Sequence, residues 1–245
     1  MTRRWLTGIV LVAGAVGLWE AGVRLSGTPV YLLPGPTDVV GVLADDLAHL
    51  VPAAGVTAGE ALAGLVLGGA VGLLMAVVVT FWGQLEQGVM SLALLIKSTP
   101  IIAVAPILTI WMGFGHGPKV VVTALLTFFP VLINSLEGFR SVDPAIADWF
   151  RSIDAPPRQY FLQARWPSAR PFLFAALKVA APLSLIGAVV AEWMGASAGL
   201  GRQMWLAYTN LDMPSLFAAV FVLTALSAAV YRMVVTAERR TVHWV

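Results

Sequence analysis

Gly195-Ala196-Ser197-Ala198-Gly199 has the G-x-S-x-G spacing of a serine hydrolase elbow. That device needs a strand before the serine, a helix after it and a histidine base. Here LSLIGAVVAEWM precedes it and reads as an apolar helix, and none of His49, His116 and His243 has a compelling place as the base. A membrane-embedded hydrolase is the enzymatic reading; a small-residue loop after a helix is the other. GFGHGPKV, residues 113–120, has the outline of a phosphate loop, which cradles phosphates with backbone N–H groups and a Gly-Lys-Ser/Thr ending. Pro118 stands where glycine must precede the lysine, and Val120 follows Lys119 in place of a hydroxyl residue. The chain therefore binds no ATP by that device. It has no cysteine, which excludes thiol catalysis, disulfides and thiolate metal sites, and the three histidines lack ligand spacing.

Lys97 is a different kind of candidate. It stands in an apolar run beside Ser98, Thr99 and Pro100. An intramembrane lysine is costly and faces a cavity or a partner, unless its long stem snorkels to the surface. Pro100 and Pro106 can interrupt the helix there and free backbone carbonyls. Lys97, Ser98 and Thr99 are expected to line a solute path, or Lys97 to pair with Glu192; Trp111, Asn134 and Glu192 are further candidates for the path. Lys178 lies nearer one end of its run and is expected to snorkel.

The elements that must hold these residues follow from composition. Of 245 residues, 59% are hydrophobic and 11% charged, and the mean hydropathy is +0.85. A soluble domain cannot cover its surface with so few charges, so a bilayer is the fitting solvent. A net charge of +2 gives no footprint for nucleic acid. Six spans are expected, over residues 5–23, 62–81, 89–112, 120–136, 172–190 and 216–235, forming one all-α membrane domain. Residues 1–55 hold the first span, read as an uncleaved anchor, and an amphipathic segment whose helix is capped by Thr37 or Asp38. Residues 56–240 form the core. Gly64, Gly68 and Gly72 recur every four residues, which lets a second helix approach. WMGASAGLG is expected as a loop.

Arginine and lysine favour one topology. With both termini inside, cytoplasmic segments hold Arg3, Arg4, Arg140, Arg151, Arg158, Arg165, Arg170, Arg239 and Arg240, against Arg24, Lys119 and Arg202 outside. This puts DWFRSIDAPPRQYFLQARWPSARP, residues 148–171, in the cytoplasm. Asp143 with Pro144 reads as a helix start; Asp154 and Ala155 break it; Pro156 and Pro157 open a second helix that Pro167 ends. Helix, bend and helix would lie at the membrane surface, either meeting lipid headgroups or offering aromatic anchors to a groove on a soluble partner.

This segment resembles the EAA loop of permease subunits of bacterial ABC importers. Asp148-Trp149-Phe150 stands at the Glu-Ala-Ala triplet, Asp154 at the following glycine, and Trp166-Pro167 at the Leu-Pro. Residues 97–144 and 172–201 are similar to the nitrate, sulfonate and taurine branch, and WMGASAGLG with LFAAVFVLTALSAAVY is most similar to permeases for the pyrimidine precursor of thiamine. The resemblance runs from about residue 30 to the C-terminus. It implies a type I importer permease fold in the bacterial inner membrane, with a coupling loop over residues 143–167. Asp148, Trp149, Phe150, Asp154, Arg158, Trp166 and Pro167 would meet a cytoplasmic ATPase, which carries the ATP and Mg; this chain itself binds no cofactor. A periplasmic or lipid-anchored binding protein and a second permease copy are the other implied partners. Imported sulfonate, taurine or nitrate is the alternative cargo, and a stand-alone channel, which would not need the loop, is the alternative transporter. Trp149 and Phe150 are far larger than alanine, while aspartate tolerates a bend better than most residues.

Overall fold

A computed structural model describes residues 2–242; the side chains of residues 2–6 and 9 and the residues 1 and 243–245 lie outside that description, and with them the expected parts played by Arg3, Arg4 and His243. The chain forms α1 (Thr2–Ser26), α2 (Pro36–Asp45), α3 (Leu47–Phe81), a 3-10 turn (Gly83–Leu85), α4 (Glu86–Ser98), α5 (Ile101–Met112), α6 (Gly117–Arg140) and α7 (Pro144–Ser152). After them come α8 (Pro157–Tyr160), a π turn (Phe161–Arg165), α9 (Trp166–Trp193), α10 (Leu200–Thr209) and α11 (Met213–Thr241). No strand occurs among the described residues. Four helical stretches, Leu47–Phe81, Gly117–Arg140, Pro157–Trp193 and Met213–Thr241, are long and apolar enough to cross a membrane, and the bent pair of α4 and α5 makes a fifth. The expected first span lies within α1.

At the centre α6 lies against both α3 and α9. The glycine stripe explains the approach to α3. A Cβ on Gly72 would stand 2.7 Å from the carbonyl oxygen of Phe128 on α6, and one on Gly68 would overlap the backbone of Ala124. Gly187 on α9 meets α6 in the same way, at Thr123 and Leu126. Small residues let backbones pack where lipid gives helices no hydrophobic reason to associate. Around this trio, α10 and α11 rest on α9, and α2 rests on α11, where Val39 joins Ala218 and Ala219 in one apolar cluster. α1 packs Trp19 against Phe217 and Phe221 of α11, with ring centroids 5.8 and 6.3 Å apart.

Several boundaries differ from the sequence reading, each for a local reason. The second span starts at Leu47 rather than 62, because Pro52 falls in the second turn and costs a single ladder bond there. The cap of α2 is Gly35, not Thr37 or Asp38: the Asp38 carboxylate accepts the Gly35 N–H at 2.9 Å, and the Thr37 N–H and hydroxyl both reach Glu20 on α1. Pro167 does not end a helix; it stands in the first turn of α9, where a missing N–H is harmless. WMGASAGLG is not loop throughout, since α9 runs to Trp193 and α10 begins at Leu200.

Candidate functional site

The surface segment is built from α7, a bend and α8. Asp143 caps α7 by accepting the Ala145 N–H at 2.7 Å. The helix closes with the Asp154 N–H on the Arg151 carbonyl and the Ala155 N–H on the Phe150 carbonyl, both at 3.1 Å. That pair of bonds is the Schellman arrangement, which calls for a left-handed residue at Asp154. Asp154 takes it, with φ of 52°. Trp149 is 55% exposed whereas Phe150 is 6% exposed; Phe150 turns inward against Tyr160, centroid to centroid 5.3 Å. Asp148 pairs with Arg151 at 2.7 Å on the surface, and Arg158 is exposed. Trp166 packs on Phe139 and Phe161, so it belongs to the seat of the segment. Phe161 also touches Phe81, and the Arg165 guanidinium donates to the Thr80 carbonyl at 3.3 Å while lying over Tyr160. Behind α7 a cavity of about 470 Å³ is lined by Thr80, Phe150, Arg151, Asp154, Tyr160 and Arg165. The helix-bend-helix unit is thus bolted to the ends of α3, α6 and α9.

The residues expected along a path fall into three places. α4 and α5 meet at 92°. Pro100 has no N–H to continue α4, and Thr99 before it is extended, with ψ of 126°. Pro106 sits inside α5 without breaking it. Lys97, Ser98 and Thr99 stand exposed at this corner. The Lys97 ammonium lies 4.4 Å from the centroid of the Phe129 ring and has no acidic partner among the described residues, so the expected pair with Glu192 is not formed. Trp111, near the end of α5, is 77% exposed. Asn134 is half-buried, and its side-chain amide donates to the Pro130 carbonyl one turn earlier, at 2.8 Å. Lys178 donates to both carboxylate oxygens of Glu238, near the end of α11, at 2.8 and 2.9 Å.

Glu192 belongs instead to a buried polar cluster that sequence reasoning missed. Its Oε1 accepts the Thr57 hydroxyl at 2.7 Å and its Oε2 accepts the Gly201 N–H at 2.5 Å. The Thr57 oxygen in turn accepts the Leu200 N–H at 2.8 Å. Glu60, one turn along α3 from Thr57, is equally buried and binds Nδ1 of the exposed His116 at 2.7 Å. Lys119, 2% exposed, gives its protons to the carbonyls of Phe114 and Gly115. The GFGHGPKV turn is therefore clamped by its own lysine. The GASAG loop serves α10: Gly195 and Gly199 have φ of 127° and 109°, and Gly199 and Gly201 leave no room for a Cβ beside Glu192. Ser197 is exposed and follows a helix, so the elbow geometry is absent. The signal open to a reader of the sequence was two acids, Glu60 and Glu192, in otherwise apolar helices.

Five candidate crossings among the described residues, a helix-bend-helix segment at one end and a polar clamp within α3, α6, α9 and α10 make a transporter module. The family model described as the binding-protein-dependent transport system inner membrane component matches residues 68–243. The chain belongs to this family. The formylaminopyrimidine transport permease protein ThiX of Halalkalibacterium halodurans is 34% identical over 93% of this chain and 91% of its own. The riboflavin transport system permease protein RibX of Chloroflexus aurantiacus is 32% identical over 92% and 85%, and the putative aliphatic sulfonates transport permease protein SsuC of Bacillus subtilis 25% identical over 98% and 88%. A solved structure titled "Crystal structure of an amino acid ABC transporter with histidines" superposes with a TM-score of 0.68 at 15% identity, covering 81% of this chain and 96% of that one. The fold is the type I permease fold. This permease is a multi-pass membrane transport subunit of an ABC transporter and not an enzyme, and membership implies an ATPase and a binding protein as partners.

Proposed function

We propose that this permease forms half of an import pathway for a pyrimidine precursor of thiamine, in a complex of two permease copies, two ATPase subunits and a binding protein. The cargo assignment rests on one observation: 34% identity along 93% of the chain to a protein named for formylaminopyrimidine transport. Both termini lie in the cytoplasm in this reading, which the arginine distribution favours. The coupling segment then faces the ATPase. Exposed Trp149, Asp148 and Arg158 meet the groove of the partner, while Phe150, Asp154, Trp166 and Pro167 hold the segment's shape and join it to α9. Closure of the ATPase dimer on ATP pushes α7, and the continuous run from α8 through α9 carries that motion into the bilayer, alternating outward and inward access. Lys97, Ser98, Thr99 and Trp111 border the path on the open side of the α4–α5 corner, with Asn134 behind them. Glu192 acts from inside the subunit, by fixing α10.

The test is uptake into proteoliposomes holding this chain, its ATPase and its binding protein. Formylaminopyrimidine is expected to accumulate only with ATP and the binding protein. Accumulation of taurine or a sulfonate in its place would favour the second reading, which SsuC at 25% identity supports. Accumulation without an ATPase would overturn both.

A further inference from the structure

Lys97 stands in the last turn of α4, before its break with α5, and Phe129 lies twelve residues beyond the start of the twenty-four-residue α6. At 1.5 Å per residue the ring is about 18 Å from either end of α6, so the ammonium above it sits near mid-membrane. Lys97 is exposed, yet its ammonium meets no carboxylate among the described residues. A bare cation at that depth is not stable against lipid and has to face water or a polar solute. Beside it opens a cavity of about 210 Å³ lined by Lys97, Thr99, Phe129 and Pro130, with Ile101 and Leu183 as apolar walls. The Thr99 hydroxyl is spent on the Leu95 carbonyl, which leaves the lysine as the polar group free to change partner.

We propose that Lys97 and Phe129 form a transient recognition station for a planar heteroaromatic solute whose ring nitrogens or carbonyl oxygens accept hydrogen bonds. In the empty station the ammonium rests on the ring face, a cation–π contact of modest strength. An arriving solute offers the ammonium a better acceptor, and the vacated Phe129 face stacks on the solute ring. An anion without a ring uses Lys97 alone; an apolar solute uses neither. This station rests on the reading that the α4–α5 corner borders the path.

The chain has no cysteine, so Lys97→Cys introduces a unique thiol. The variant complex, with its ATPase and binding protein, is put in proteoliposomes and treated with aminoethyl or sulfonatoethyl methanethiosulfonate. Labelling is expected, slowed by formylaminopyrimidine delivered on the binding protein. Uptake is expected to fall at least tenfold in Lys97→Cys, to recover after the aminoethyl reagent restores a cation, and to stay low after the sulfonatoethyl reagent. A thiol that neither reagent reaches, with or without ATP, would overturn the path reading itself. A labelled thiol with unchanged uptake would leave the path standing and overturn recognition. Phe129→Leu keeps the test alive if the cysteine variant fails to assemble: KM for formylaminopyrimidine should rise several-fold while kcat holds, and an unchanged KM overturns the station.

Discussion

The Thr57 hydroxyl of α3 donates to Oε1 of Glu192 on α9 at 2.7 Å, and Oγ1 of Thr57 itself accepts the Leu200 N–H at the start of α10. One side chain therefore ties α3 to two helices that lie 135 and 143 residues further along the chain. All of it is buried, with Thr57 at 0% and Glu192 at 1% exposure. Without water, each group left unpaired there bears its full desolvation cost. Thr57→Val keeps the shape and strands both the carboxylate and the N–H. The expected loss is roughly 1–3 kcal/mol per stranded group, read as a lower unfolding midpoint in detergent by tryptophan fluorescence. Thr57→Ser should stay close to the parent protein.

The glycine stripe gives a sharper contrast. A Cβ at Gly68 meets the Ala124 backbone, while one at Gly69 meets nothing nearer than a Val131 methyl at 3.9 Å. Gly68→Leu is expected to yield little monodisperse protein, because α3 cannot retreat from α6 without opening the core. Gly69→Ala should be neutral or stabilising by up to about 1 kcal/mol, the helix-propensity difference. Size-exclusion profiles of the two variants purified side by side decide it.

Much of this was legible in the sequence for physical reasons that can be named. Apolar run length gave the crossings, and the spacing of Gly64, Gly68 and Gly72 gave the close approach. Asp143-Pro144 gave the start of α7, since capping is local chemistry. What failed depended on distant partners. Pro167 looked like a stop because a proline's cost depends on which turn it occupies. The partner of Lys178 was not visible because Glu238 lies sixty residues away. Glu192 looked like a path group or a partner for Lys97, and Glu60 like nothing in particular, since only the packed fold brings Thr57, Gly201 and His116 to them. Their burial was invisible to any window of residues.

The sequence treats Trp149 and Phe150 alike, and the structure separates them. Trp149→Glu should leave the unfolding midpoint unchanged, because the ring is 55% exposed. If Trp149 anchors the ATPase, losing an interfacial tryptophan costs about 2 kcal/mol or more, or roughly a 30-fold weaker docking constant. Titrating the ATPase onto the permease in nanodiscs measures it, and uptake should fall in parallel. Phe150→Glu should instead lower the midpoint, since its charge would be buried against Tyr160. Equal docking for Trp149→Glu and the parent protein would remove Trp149 from the interface.

Asp154 stands where the resembling loops have glycine, and it takes the left-handed conformation, with φ of 52°. A left-handed backbone costs roughly 1–2 kcal/mol for an ordinary L-residue and little for glycine. Its side chain has no role in the Schellman bonds, which are made by the backbone of Asp154 and Ala155. Asp154→Gly should therefore preserve the bend, the docking constant and uptake. Asp154→Val adds a β-branch in the region least able to hold one, and should loosen the angle between α7 and α8 without unfolding the bundle. The expected signature is a protease-sensitive bend and several-fold lower uptake at an unchanged global midpoint. If Asp154→Gly lost uptake as well, the carboxylate itself would be making a contact with the ATPase, and the bend would not be its purpose.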